Sequence, residues 1–236
     1  MHGADVHLVR AEDVHAGRLD GLDVFIMPGG GKAAMQGLLE PLGEHGAETV
    51  RKFVEQGGTY LSSCAGSFLP LAVDDDVVGL YPAMGALRMT DLQPANEGPP
   101  VVGGLASPGV GRIRVRLDEG SPLTRELAGE VDLMHYNGPF FVGGTDAKPF
   151  AWPVASTNAF TPAEAFMGDG GEAATFAGCV AQGASTGVVQ PWGDGQLILF
   201  GSHPEFGLGP LQLGWEEGST LLLNALREVP KRTTAS

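Results

Sequence analysis

Three short segments of the sequence carry residue types that can do nucleophilic chemistry. Cys64 lies in TYLSSCAGSF, directly after an apolar run and among small residues. His203 and Glu205 lie two positions apart in GSHPEF, and glycines follow Pro28 in PGGG. A thiol, an imidazole that takes its proton and a carboxylate that orients the imidazole are sufficient for attack on a carbonyl carbon if the fold brings them together.

The Cys64 segment is compatible with two roles. A strand that ends in a nucleophile and turns sharply into a helix needs small neighbours, because the turn is crowded. Ser63, Ala65 and Gly66 meet that need, and the first amides of the helix would favour the thiolate. The segment alone is equally compatible with Cys64 as a small buried residue at the end of a strand.

The other two segments are weak motifs when each is taken singly. Side chains two positions apart on an extended chain point the same way, so Glu205 would orient His203, with Pro204 stiffening the link. A surface turn with an incidental histidine has the same pattern. The glycines of PGGG would expose N–H groups to an oxyanion, although an ordinary turn explains them as well.

Alternating strands and helices are predicted to position these segments. Apolar runs predict strands over 4–9, 23–28 and 59–64. The segment 37–58 predicts a helix between the last two, and this order indicates a parallel sheet. Each of the three segments follows a predicted strand, at the edge where open α/β sheets place their sites.

The second half of the chain predicts an added antiparallel portion. Strand patterns occur within 112–117, 131–143 and 152–158, and 186–206 predicts a hairpin that turns at WGDG. An amphipathic closing helix is predicted over 218–229. Residues 74–112 are rich in Gly and Pro and predict an irregular insertion within a single domain, 1–236.

Composition limits the function classes. The net charge of −14 argues against binding nucleic acid through its phosphates. No segment is apolar enough to span a membrane and the start has no secretory signature, so a cytoplasmic protein is expected unless a leader was removed. The two cysteines match no zinc spacing or disulfide framework, and we expect neither a metal nor a cofactor.

With these segments in this order, the sequence resembles the class I glutamine amidotransferase-like superfamily, and within it the biotin-protein ligase N-terminal-like domain. The matching segments are DVFIMPGGG, FVEQGGTYLSSCAGSF, HYNGPFF and GSHPEF, and the resemblance covers nearly the whole chain. It implies a flavodoxin-like, mostly parallel sheet with flanking helices. The implied roles are nucleophile for Cys64, base for His203 and orienting acid for Glu205. The implied oxyanion amides are those of Gly30, Gly31 and Ala65.

The sequence departs from the pattern of this superfamily around the cysteine. Amidotransferases usually read G-x-C-x-G-x-Q, and here Ser62 and Phe68 replace the first Gly and the Gln. Phe68 favours a more apolar pocket, so glutamine is not implied as the substrate. His135, Tyr136 and Asn137 of HYNGPFF are further candidates for the pocket wall, although the packed end of a strand explains them as well.

The family normally has a strand and a helix ahead of the segment 4–9, and these are missing here. In a flavodoxin-like order that strand lies inside the sheet, so a gap would leave backbone groups unpaired. A truncated or misassigned start, direct pairing of 4–9 with 23–28, and a partner segment are three explanations. We expect one of the last two, with a homodimer as one form of partner.

Three functions follow from these residues. The first is a Cys–His–Glu hydrolase or amidotransferase-like enzyme that acts on a small amide or γ-glutamyl-type substrate through a thioester at Cys64. The second is a non-catalytic domain of the same scaffold that binds a small molecule or regulates. The third is a redox protein whose thiol oxidises readily.

Overall fold

The structure is a computed structural model that describes residues 4–29, 34–73, 83–95, 109–156, 161–162, 176–207 and 216–232. The strands in these ranges are β1 Val24–Met27, β2 Thr59–Ser63, β3 Leu92–Pro94, β4 Gly109–Leu117, β5 Glu130–Tyr136, β6 Phe141–Gly143, β7 Lys148–Ser156, β8 Thr161–Pro162, β9 Gly187–Trp192 and β10 Gly195–Phe200. The helices are α1 Ala11–His15, α2 Ala34–Glu55, α3 Phe176–Ala181 and α4 Glu216–Arg227.

One large sheet contains most of the strands, in the order β1-β2-β10-β9-β7-β4-β5, with β8 also paired to β4. The strands β1, β2 and β10 are parallel neighbours, and Leu61 of β2 lies in register with Ile26 on one side and Ile198 on the other. These three strands therefore end together at one edge of the sheet. From β10 to β5 every neighbouring pair is antiparallel.

This architecture confirms the predicted α/β, flavodoxin-like fold with flanking helices and an added antiparallel portion. The antiparallel portion consists of β9, β7, β4 and β5, which follow β10 in the sheet. The predicted hairpin at WGDG is confirmed, with Trp192 opposite Gly195. The irregular insertion predicted over 74–112 falls largely outside the described residues.

The sheet separates two apolar cores. The alternating side chains of β2 show this, because Tyr60 belongs to one core and Leu61 to the other, and both are buried. Helix α2 covers the first core with Val50, Phe53 and Val54, as its apolar face predicts. Helix α4 covers the second core. The three parallel strands are therefore packed between the two cores, and this packing holds their ends in place.

The prediction of a strand over 4–9 is wrong. The residues 4–10 form no strand, and the side chains of Val6 and Leu8 are 71% and 90% exposed. In the described part of the chain β1 pairs only with β2, so direct pairing of 4–9 with β1 is excluded as the explanation for the missing unit. Alternating apolar residues predict a strand only where a neighbour supplies backbone partners and a core accepts the apolar side.

The helices of this fold are short or amphipathic. In the ranges that the structure describes, no helix is long and apolar enough to cross a bilayer.

Candidate active site

The three chemical segments meet where β1, β2 and β10 end. Pro28 and Gly29 follow β1, Cys64 follows β2, and His203 comes three residues after β10. An ideal Cβ built on Gly29 would lie 2.5 Å from Cys64 Cβ, 3.2 Å from Cys64 Sγ and 2.9 Å from His203 Cε1. The glycine turn, the thiol and the imidazole are therefore packed against one another, as their placement after parallel strands predicts.

Cys64 occupies a strained turn between β2 and a short 3-10 helix, Cys64–Phe68. Its φ is 48°, a left-handed conformation that is rare for residues other than Gly, Asn and Asp and costs about 1–3 kcal/mol. Strain of this kind is typical of a nucleophile at the end of a strand. The expected helix after Cys64 is only five residues long, so a helix dipole contributes little here. The thiol is 5% exposed and donates a hydrogen bond to the backbone O of Tyr136, 3.0 Å away.

His203 and Glu205 form a close pair beside the thiol. The Nδ1 of His203 donates to Oε1 of Glu205 at 2.7 Å, which leaves Nε2 as the ring nitrogen for the sulfur. The backbone N of His203 donates to the O of Met134 at 2.8 Å, so β5 holds the backbone that carries the imidazole. Phe206 stacks on the imidazole with ring centres 4.3 Å apart and planes 15° apart.

The surroundings of His203 favour its protonated form. Burial alone would oppose the charge, but hydrogen bonds and negative charge from Cys64 and Glu205 outweigh it and raise the pKa of His203 to about 9. The imidazole beside Cys64 is therefore protonated at neutral pH.

The predicted oxyanion amides are only partly within the described residues. Ala65, next to the nucleophile, is buried at the start of the 3-10 helix. Gly30 and Gly31 lie outside the described residues, and their role stays a prediction. Gly29 is described, and its N–H donates to the Ser63 hydroxyl at 3.2 Å. A side chain at Gly29 would overlap Cys64 and His203, which explains why the smallest residue occurs there.

The four candidate substrate-binding residues occupy different environments. Phe68 is 2% exposed and packs in the core under α2. Tyr136 is 52% exposed and supplies the carbonyl that accepts from Cys64. Asn137 has a φ of 51° in the turn after β5. All four roles remain predictions, and Tyr136 has the better position because its carbonyl contacts the thiol.

The fourth candidate, His135, lies in the buried layer behind the site. It is fully buried, its Nδ1 lies 3.2 Å from Ser202 Oγ, and Ser202 Oγ lies 2.9 Å from Thr186 Oγ1. Burial, together with the charge of nearby His203, lowers the pKa of His135 to about 3. Neutral His135 therefore supports the segment that carries His203, because it hydrogen-bonds to Ser202, the residue before His203.

Two residues of the site were not singled out from the sequence. Ser63 donates to Glu205 Oε1 at 2.9 Å, and Phe206 stacks on His203. The sequence offered a weak signal for Phe206, because it follows the motif HPE directly. It offered none for the bond from Ser63, which joins residues 142 positions apart.

Several solved structures have folds similar to that of this chain. No protein-family model matches the sequence, and the curated proteins contain no match to it. A Thermoplasma acidophilum protein described as a GMP synthase subunit is similar with a TM-score of 0.52 and 15% identity, over 96% of this chain and 85% of that chain. The two chains therefore share a fold over most of their lengths.

Two cytoplasmic proteins of Salmonella typhimurium have similar folds. STM1381 has a TM-score of 0.53 and 14% identity, over 98% of this chain and 83% of its own. STM3548 has a TM-score of 0.53 and 12% identity, over 97% of this chain and 82% of its own. At these identities the similarity shows the fold alone, and the biotin-protein ligase branch stays a prediction.

Proposed function

We propose that this protein is a Cys–His–Glu hydrolase or amidotransferase-like enzyme that cleaves a small amide or γ-glutamyl-type substrate. The observation that carries the proposal is a strained cysteine at φ 48° that is packed, across Gly29, against an imidazole held by a carboxylate. A buried structural cysteine needs neither the backbone strain nor the paired histidine. The fold shared with the GMP synthase subunit protein is compatible with the same interpretation.

The chemistry follows from the positions of these groups. The Cys64 sulfur attacks the amide carbon, and the tetrahedral intermediate collapses as the C–N bond breaks. The imidazolium of His203 gives its proton to the leaving nitrogen, so an amine or ammonia departs and a thioester remains. Neutral His203 then takes a proton from water, whose oxygen attacks the thioester and releases the acid and the thiol. Glu205 keeps Nδ1 protonated throughout.

Thiol reactivity tests the central feature without knowledge of the substrate. At pH 6 a free cysteine is only about 0.3% thiolate, so a thiolate–imidazolium pair has a large kinetic advantage. We expect iodoacetamide to alkylate Cys64 at least about tenfold faster than N-acetylcysteine at that pH. Peptide mass spectrometry would separate Cys64 from the buried Cys179.

A second measurement distinguishes the enzyme from the other two functions. Incubation with glutamine and γ-glutamyl-p-nitroanilide is expected to release ammonia or p-nitroaniline and to give an acyl adduct on Cys64. A thiol no faster than N-acetylcysteine would contradict the enzyme and favour a non-catalytic binding domain. A fast thiol that peroxide converts to the sulfenic acid, with no acyl adduct from either amide, would favour the redox function.

We also propose that a second copy of the chain covers the outer edge of β1, where the described residues supply no strand. Ile26 of β1 is 47% exposed, and Val6 and Leu8 are exposed nearby in sequence. Sedimentation velocity should show a dimer that Ile26→Lys weakens and that Glu119→Lys, on an exposed turn, leaves intact. A monomeric wild type at tens of micromolar would overturn this proposal.

A further inference from the structure

Ser63 connects the three strand ends through a single hydroxyl. Its Oγ accepts a hydrogen bond from the N–H of Gly29 at 3.2 Å and donates one to Glu205 Oε1 at 2.9 Å. The side chain is 7% exposed, so water competes little for either bond. One hydroxyl thus joins the glycine turn after β1 to the acid that follows β10, from a position directly before the nucleophile.

Glu205 depends on this hydroxyl for its orientation. Its side chain is 30% exposed, and in the described part of the chain no group bonds to its other oxygen, Oε2. Oε1 therefore carries both bonds that hold the carboxylate, one to Ser63 and one to His203. Oε2 is buried, and without the hydroxyl the carboxylate would be anchored by the imidazole alone.

We propose that Ser63 is a positioning residue that holds Glu205 against His203 and fixes the glycine turn beside Cys64. The inference rests on the proposed function, since it assigns a role within the same site. Ser63 touches neither the sulfur of Cys64 nor a ring nitrogen of His203 in its hydrogen bonds, and acts through Glu205 and Gly29. Hydrogen bonds to a carboxylate are about twice as strong as neutral ones, so its loss has a measurable effect.

The test is the pH profile of Cys64 alkylation by iodoacetamide in the full chain. We expect Ser63→Ala to slow alkylation about tenfold at pH 6 and to move the midpoint of the profile to higher pH, because a loosely held carboxylate stabilises the imidazolium less. Ser63→Thr keeps a hydroxyl and should restore most of the rate. An unchanged profile, or a midpoint that moves to lower pH, would overturn the proposal.

Ser62→Ala is the matched control for a merely structural effect. Ser62 is the preceding residue of β2, is equally buried, and bonds to the Ser67 hydroxyl at 2.9 Å rather than to the triad. It should leave the alkylation profile unchanged; a shift as large as that of Ser63→Ala would assign the effect to strand packing. The substitution Ser63→Ala should also have a smaller effect in a Glu205→Ala background, where only its bond to Gly29 remains to be lost, and an undiminished effect there would contradict action through Glu205.

The alkylation rate of the wild-type thiol distinguishes failure of the proposed function from failure of the role proposed for Ser63. If its thiol is no faster than N-acetylcysteine, the proposed function fails and Ser63 has no activated site to position. If the wild-type thiol is fast and Ser63→Ala matches it, only the role of Ser63 fails. Hydrogen exchange gives a further readout, because the Gly29 amide should exchange faster in Ser63→Ala than in Ser62→Ala.

Discussion

Cys64→Ala is expected to abolish amide cleavage and acyl-adduct formation, with a loss on the order of 10³-fold or more. No other described thiol can replace it, since Cys179 is fully buried in the core that α4 covers. The variant should fold, because alanine removes one sulfur from a site that already contains small residues. Amine release from γ-glutamyl-p-nitroanilide and the mass of the trapped adduct are the measurements.

Cys179→Ala is the matched control for Cys64→Ala. Both cysteines are buried thiols outside any disulfide, but Cys64 has a positive φ and is packed beside His203. We expect Cys179→Ala to lower stability by about 1 kcal/mol or more through the cavity it leaves, with amide cleavage unchanged. Activity that persists in Cys64→Ala would exclude covalent catalysis by this residue.

The sequence predicted those parts of the site whose position depends on local patterns of residues. Apolar runs followed by PGGG, Cys64 and His203 predicted three strand ends, and the parallel register of β1, β2 and β10 places them side by side. The side chains of His203 and Glu205 were predicted to lie together on an extended segment. They lie 2.7 Å apart, but the segment Pro204–Gly207 is a short 3-10 helix, so the extended geometry was wrong. Period-2 and strand-to-turn patterns are local, so one sequence is sufficient to read them.

Other features depend on residues far apart in the sequence and were not predictable from it. The bond from Ser63 to Glu205 exists only because β2 and β10 are neighbours in this register. The apparent strand at 4–9 failed for the converse reason, since its alternation has no neighbouring strand to pair with among the described residues. The short 3-10 helix after Cys64 reflects packing of Phe68 into the core, which local propensity does not report.

The charge on His203 is expected to make both stability and activity depend on pH in the alkaline range. Its pKa rises from 6.5 in the unfolded chain to about 9 in the fold. The protonated form therefore contributes stability fully below pH 6.5, and this contribution declines as the pH rises toward about 9. A shift of this size corresponds to about 3 kcal/mol. The difference in unfolding free energy between the wild type and His203→Asn should shrink by that order between pH 6 and 9.5.

The variant Glu205→Gln tests how much the Glu205 carboxylate contributes to the raised pKa of His203. Without the carboxylate charge, burial opposes protonation more effectively, so the pKa of His203 should fall and the alkaline decline of amide cleavage should move to lower pH. Glu228→Gln is the matched control, because Glu228 pairs with Arg125 at the surface, far along the chain from the thiol. If the alkaline decline of amide cleavage occurs at the same pH in Glu205→Gln as in the wild type, Cys64 alone is sufficient to keep His203 protonated. Since Ser63 and His203 bond to the same oxygen of Glu205, the alkaline decline should move in the same direction, and less far, in Ser63→Ala.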